Sequence, residues 1–359
     1  MNSVARINLN HLVSNINYLK SKIHSSEIYP VIKSNAYGHG SIKIAKILSK
    51  NSIKTVCVAT CNEILEILNE KTKLNIFHLG KIVLCKKNMN KKVIFTINSL
   101  SDINYIKSKC KKENYIIRCH IKVDTGMGRL GCSMQDFIKI FKLAIKSNYI
   151  ELEGIYSHLS CADNKKSDYN KKQINNFEYI INQVKEYDLK FHLLNSAGIF
   201  NYNKFSYNYV RSGLAIYGIS PLGKLDKNLK PVMEFTAPVV LYKEIKEGDK
   251  IGYGCTFHAN KKMKVAIIQC GYGDGIPIEF SNKGYVFYKK YKFPIVGRVS
   301  MDLICIDITG YNEKNKIDEV IIWGGENIYS RLEYIANNFN TIPYIYLIGI
   351  TNRVERVYV

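Results

Sequence analysis

Along the first two thirds of the chain, short β-branched and aromatic runs alternate with longer stretches whose apolar positions recur at helical spacing. The strand-like runs cover residues 28–32, 55–59, 74–79, 93–97, 116–123, 152–157, 191–194 and 209–217. Between them the helical pattern occupies 41–49, 62–69, 101–110, 134–146 and 170–187. Alternation of this kind predicts an α/β fold with a parallel sheet. Eight βα units in about 220 residues match a TIM-type (β/α)8 barrel, for which about 250 residues is typical.

After Gly218 the pattern changes. Pro221, Gly223 and Pro231 punctuate a linker, and from Val239 onward short strand-like runs are separated by the turn signals EGDKIGYG, ANKKMK, GYGDG, SNKGY, NEKNK and WGGEN. This predicts a mainly-β C-terminal domain with one helical stretch near 330–338. The expected division is a barrel domain over 1–230 and a β domain over 231–359. No internal repeat or low-complexity segment alters that picture.

Composition narrows the class. Of 359 residues, 46% are hydrophobic and 23% charged, a mixture that excludes disorder, collagen and coiled coil as descriptions of the whole. No apolar run approaches the roughly 18 residues of a membrane span, and MNSVARINLN lacks the apolar core of a signal peptide, so a cytoplasmic protein without a membrane partner is expected. The net charge of +22 is enough to attract nucleic acid non-specifically. Only eight of the 52 basic residues are Arg, however, and the 44 lysines are scattered with no run longer than two. No specific nucleic-acid partner is therefore expected. The ten cysteines contain no CxxC pair, which predicts buried, reduced thiols and no metal centre.

In such a barrel the chemistry sits just past the C-terminal ends of the strands. The first strand runs into Lys33 in VIKSNAYGHG, and the fifth ends in HIKVDTGMGRLG with Lys122, Asp124 and Arg129. The sixth ends at His158 in YSHLSCAD, the seventh at Asn195 and Ser196, and the eighth carries Arg211, Gly213 and Leu214. A lysine at the end of a buried strand is desolvated, which lowers its pKa and frees an amine for Schiff-base chemistry. Ser196 and the amides near Gly213 and Leu214 come from late strands, where these barrels commonly hold a phosphate. A phosphorylated aldehyde satisfies both features, which points to pyridoxal 5'-phosphate carried by Lys33.

VIKSNAYGHG resembles the pyridoxal-lysine motif of alanine racemases. The likeness continues through KVDTGMGRLG, YSHLSCAD, NSAG, VRSGLAIYG, GYGCTF, GYGDG, VGRVSMD, TIPY and RVER, in order along nearly the whole chain. The resemblance implies a homodimer of two-domain subunits, with each site completed by the partner's β domain. It implies that Lys33 and Tyr253 are the two catalytic bases, one on each face of the α-carbon, with Tyr253 reaching in from the other subunit. Racemisation needs an acid/base on both faces, so the pairing is a physical requirement.

By the same resemblance, Tyr37, Ser196, Gly213, Leu214 and Tyr344 match the family's phosphate contacts, and His158 supports the cofactor ring. Arg211 faces the pyridine nitrogen. It can only donate a hydrogen bond, which leaves that nitrogen unprotonated and disfavours transamination. Arg129 matches the residue that holds the substrate carboxylate, Met301 meets that carboxylate through its amide, and Asp302 supports it. Lys122 matches a lysine often carbamylated in the family, a change that would replace a cation beside Arg129 with an anion.

The chain departs from the family after GYGDG, where Ile276, Pro277 and Ile278 stand in place of a sequence with a corridor arginine. Arg298 and Asp163 remain as corridor candidates. The usually acidic position after TIPY is Ile345, and Tyr346 is larger than usual. The implied activity is the interconversion of L- and D-alanine, which in a bacterium feeds peptidoglycan synthesis. A racemase of broader scope is the nearest rival. A barrel-type decarboxylase is disfavoured by Tyr253 and Arg211, and a pyridoxal-binding homeostasis protein by the second domain.

Overall fold

The computed structural model describes residues 2–23 and 25–359. Its first sheet has eight strands: Glu27–Ile28, Thr55–Val58, Asn75–His78, Val93–Ile97, Ile117–Lys122, Ile150–Tyr156, Lys190–Asn195 and Tyr209–Arg211. Every neighbouring pair is parallel. The ring closes where the Ile32 amide donates to the Cys57 carbonyl (2.9 Å) and the Cys57 amide to the Pro30 carbonyl (2.8 Å). This is the expected α/β barrel. Polar caps start its helices: Thr60 and Glu63 form a reciprocal capping box before Cys61–Asn69, and Ser99 and Ser133 cap Leu100–Glu113 and Met134–Ile145.

Three expected elements differ. The run 28–32 yields a strand only at Glu27–Ile28, because Pro30 has no amide to add to the ladder. The run 209–217 stops at Arg211. Gly213, at φ −103° and ψ −94°, bends the chain into a 3-10 turn over Leu214–Tyr217, which turns the backbone toward the barrel mouth. The helix expected over 170–187 runs over Asp168–Asn182.

The second sheet is built around the long strand Met233–Ile245, which pairs antiparallel with Glu319–Gly324 and with Met263–Ile268. The N-terminal strand Val4–Ile7 belongs to this sheet and not to the barrel. It lies antiparallel to Met233–Ile245 on one side and parallel to Glu355–Tyr358 on the other. Two helices accompany the sheet, Leu332–Asn338 and Pro343–Gly349, where one was expected. Pro343 at the first helical position is the start signal that reveals the second. Trp323 and Phe235 pack edge to face at 4.6 Å and anchor this core.

All ten cysteines are free thiols. Cys57, Cys110, Cys119, Cys132 and Cys270 are buried as expected, but Cys85 and Cys255 are exposed and the rest are half-buried. The difference follows position, since Cys85 lies in an irregular segment and Cys255 ends the short 3-10 turn Tyr253–Cys255, both on the surface. Among the described residues, no helix is long and apolar enough to cross a membrane.

Candidate active site

The barrel mouth opens into a cavity of about 590 Å³, lined by Lys33, Tyr37, Lys122, Arg129, His158, Asp163, Ser196, Arg211, Gly213, Leu214 and Tyr344 among others. Residues from seven of the eight barrel strand ends and from the helix Pro343–Gly349 thus meet in one place. Lys33 opens a turn in which Ser34, Asn35, Ala36 and Tyr37 all have φ near +52°. Such left-handed backbone costs an L-residue roughly 1–2 kcal/mol.

Arg211 is 4% exposed. Its Nη1 donates to His192 Nδ1 (2.6 Å) and to the His192 carbonyl (3.2 Å). Its Nη2 donates to the carbonyls of Ser157 (2.5 Å) and Leu193 (3.0 Å). The four Nη hydrogens are thereby engaged, and the Nε hydrogen has no protein acceptor among the described residues. Because a guanidinium cannot accept, His192 must receive at Nδ1 and carry its proton on Nε2, from which it donates to His120 Nδ1 at 2.9 Å. His120 then carries its proton on Nε2, which faces the Glu153 carboxylate at 3.8 Å, and Glu153 in turn pairs with Arg118. Both histidines are buried, and burial and then the Arg211 charge hold His192 well below its ordinary pKa. The chain of donors reaches from the mouth through the barrel interior and locks the guanidinium in place.

Lys122 is 5% exposed, and burial together with Arg211 and Arg129 pushes its pKa down to about 8. It is the desolvated lysine of the set; Lys33 is only half-buried. Asp124 accepts four backbone hydrogen bonds, from Gly126 (2.9 Å), Met127 (2.7 Å), Gly128 (3.2 Å) and Arg129 (3.0 Å), which shape the loop that presents Arg129. Burial raises the Asp124 pKa, but those four donors outweigh it and hold the carboxyl below its usual range.

Ser196 Oγ accepts from the Gly213 amide (2.9 Å) and lies 3.2 Å from Ser212 Oγ, which gathers small polar groups at one end of the cavity. A side chain at Gly213 would place its Cβ 2.5 Å from Tyr37 Oη. The Tyr37 ring is wedged between Tyr217 (5.0 Å) and Tyr344 (5.6 Å). His158 is held well below its ordinary pKa by burial and then by Arg211, Lys122, Arg129 and Lys33, so its imidazole is neutral.

Three expected site residues lie elsewhere in the subunit. Tyr253, 73% exposed, borders with Arg298 a separate depression of about 490 Å³ on the β domain. Met301 and Asp302 follow on the exposed turn after it, where Asp302 pairs with Arg353 at 2.6 Å. The sequence reading missed His120, His192 and Glu153, which support Arg211. It also missed Glu63 and Arg356, which bond to the Lys33 turn. Of these, only Arg356 carried a sequence signal, inside RVER.

The sequence profile of the alanine racemase N-terminal domain matches residues 7–221, and that of the C-terminal domain matches 232–358. An alanine racemase of Clostridium kluyveri is 33% identical over 98% of this chain and 93% of its own length. One from Methanococcus maripaludis is 32% identical over 99% of this chain and 98% of its own. Among solved structures, alanine racemase from Bartonella henselae with covalently bound pyridoxal phosphate superposes with a TM-score of 0.91 at 32% identity, covering all of both chains. Alanine racemase of Clostridium difficile does so at 0.91 and 31%, covering all of this chain and 96% of the other. With both domains matched in order and the barrel-mouth residues gathered as described, the chain belongs to the alanine racemase family.

Proposed function

We propose that this protein racemises alanine with pyridoxal phosphate held on Lys33. The observation that carries the reading is the gathering of Lys33, Lys122, Arg129 and Arg211 around one cavity whose only carboxylates, among the described residues, are Asp163 and the Arg331-paired Glu333. So many cations facing so few anions suit a ligand with a phosphate and a carboxylate. The Ser196 hydroxyl and the side-chain-free backbone at Gly213 form a cradle that a Cβ would fill, and the Nε hydrogen of Arg211 remains for a ring nitrogen. These residues fit the cofactor.

When bound, the pyridoxal group draws electrons from the substrate α-carbon and so acidifies its hydrogen. The chain supplies the rest. Lys33 holds the cofactor and moves the α-proton on one face. Tyr253 of the partner subunit serves the other, with Met301 and Asp302 of the partner subunit beside the substrate carboxylate. Arg129 holds that carboxylate, and Arg211 denies the ring nitrogen a proton. His158 supports the ring, and Tyr37, Ser196, Gly213, Leu214 and Tyr344 hold the phosphate. The unprotonated fraction of Lys122, enlarged because burial and the neighbouring Arg211 and Arg129 lower its pKa to about 8, adds carbon dioxide and loses one proton to give a carbamate anion that orients Arg129. A homodimer is supported by Tyr253 lying outside its own chain's cavity. D-alanine made in the cytoplasm would supply peptidoglycan synthesis, with 1–230 and 231–359 as barrel and β units apart from the strand Val4–Ile7, which pairs into the β sheet.

Borohydride treatment should fix the cofactor on the peptide containing Lys33, and label on another lysine would remove the central assignment. Incubation with each L-amino acid in deuterated water, followed by chiral analysis, should give deuterated D-alanine. A broader substrate range is favoured by Ile278 and Ile345, which put exposed apolar side chains (42% and 50%) where the family carries charge. Comparable rates on lysine and alanine would select that reading.

A further inference from the structure

The turn that carries Lys33 is held in a conformation its own residues resist, and the groups that hold it come from distant parts of the chain. Ser34, Asn35 and Ala36 have ψ between 45° and 55°, so with Tyr37 they form one turn of left-handed helix without a glycine. In that conformation each Cβ crowds the following carbonyl. On the barrel side, Glu63 accepts the Ser34 amide at 2.7 Å with one carboxylate oxygen and the amides of Ala59 (2.7 Å) and Thr60 (3.0 Å) with the other. The residue that caps its own helix therefore also fixes the amide next to Lys33.

From the β domain, Arg356 in the strand Glu355–Tyr358 donates through Nε to the Gly38 carbonyl at 3.2 Å. Its other hydrogens bond the carbonyls of Ile350 (2.9 Å), Thr351 (2.6 Å) and Val354 (2.7 Å), just past the helix that carries Tyr344. One guanidinium thus ties the end of the lysine turn to the segment that positions Tyr344 against Tyr37. There is no slack beside it, since a Cβ at Gly38 would lie 2.2 Å from the Leu347 carbonyl oxygen.

We propose that Glu63 and Arg356 are positioning residues that keep the Lys33 turn left-handed and so present its amine to the cavity. The proposal rests on Lys33 being the lysine to which pyridoxal phosphate attaches. The argument is one of opposed tendencies. The turn's own backbone favours relaxation, and acceptors and donors fixed in two other parts of the fold oppose it. Removing either brace should let the turn relax, whereas removing the resistance inside the turn should make the braces less necessary.

The test uses cofactor-free full-length protein as wild type, Glu63→Gln and Arg356→Lys, variants that keep most of each side chain's bulk. Amide hydrogen exchange of peptides covering 33–40 and the helix Leu9–Lys20 is measured first. The rate at which visible absorbance returns on adding pyridoxal phosphate is measured second. Each variant should exchange about tenfold faster over 33–40 and regain absorbance about tenfold more slowly, with Leu9–Lys20 unchanged. Adding Ser34→Gly, which changes an exposed side chain and gives the turn a residue at ease with positive φ, should restore both readouts to within about twofold of wild type. Unchanged exchange in the single variants, an equal rise in Leu9–Lys20, or no rescue by Ser34→Gly would each overturn the proposal. If the cofactor attaches to another lysine, the Lys33 assignment fails, and the exchange data alone then decide the bracing.

Discussion

Lys122 sits where a positive charge is least welcome, buried beside Tyr156 (5.7 Å to the ring) and near Arg211 and Arg129. Moving an ammonium from its ordinary pKa of 10.5 down to about 8 corresponds to roughly 3 kcal/mol of folding free energy. Below pH 8 both folded and unfolded chains carry the proton and the penalty is complete. Between pH 8 and 10.5 the unfolded chain holds more protons, so stability rises with pH; above 10.5 the penalty is gone. Lys122→Met should therefore stabilise the cofactor-free protein by about 2–3 kcal/mol at pH 7, and by much less at pH 10. Urea midpoints at the two pH values check this, and a less stable variant at pH 7 would mean that Lys122 is favourably paired. At this scale the sequence was legible where a residue belongs to a motif, as with Lys33, Arg129 and Arg211. His120 and His192 were not, because mid-strand histidines in apolar runs look like core. Only the geometry shows that a guanidinium dictates their tautomers.

At the scale of elements, the barrel was legible because buried parallel strands are short apolar runs and their helices are amphipathic. What failed were strand ends bent for function. The eighth strand stops at Arg211 so that the backbone at Gly213 can turn across the cavity, a bend that β-branched composition conceals. Gly213→Ala tests the value of that bend. The new methyl would meet Tyr37 Oη at 2.5 Å, and Tyr37 cannot swing freely between Tyr217 and Tyr344. The variant should fold normally and bind pyridoxal phosphate about tenfold more weakly, read from an absorbance titration. Wild-type affinity would show that the cradle lies elsewhere. The N-terminal strand Val4–Ile7 was illegible for another reason: its partners lie more than two hundred residues away, and no local pattern names them.

At the scale of the molecule, the proposed role of the exposed Tyr253 requires a second subunit. Mixing inactive Lys33→Ala and Tyr253→Phe proteins should restore about a quarter of wild-type activity, since half the dimers are hybrids and each hybrid has one intact site. No recovery despite demonstrated subunit exchange would speak against a shared site. The corridor is the other whole-molecule property. One cation at such a distance matters by about 1 kcal/mol at a water-like dielectric, so Ile278→Arg should lower KM for alanine a few-fold at low salt and leave kcat unchanged. The gain should fade as salt rises. A selective loss of activity on lysine would instead mark Ile278 as widening the corridor.

The parallel pairing of Val4–Ile7 with Glu355–Tyr358, and the bond from Tyr358 to the His39 carbonyl across 319 residues of sequence, bear on how the protein is made. Chains leave the ribosome at about 5–20 residues per second, so the lysine turn emerges roughly fifteen seconds to a minute before the strand that closes over it. During that interval a nascent barrel presents its lysine unbraced, and the seat for the cofactor is finished only when translation has passed Arg356. Ribosome-stalled chains halted before residue 350 should accordingly take up pyridoxal phosphate poorly, while chains extended beyond residue 359 by a linker long enough to clear the exit tunnel should take it up fully. On the proposed bracing, cofactor loading waits until the strand Glu355–Tyr358 has been made and has cleared the ribosome.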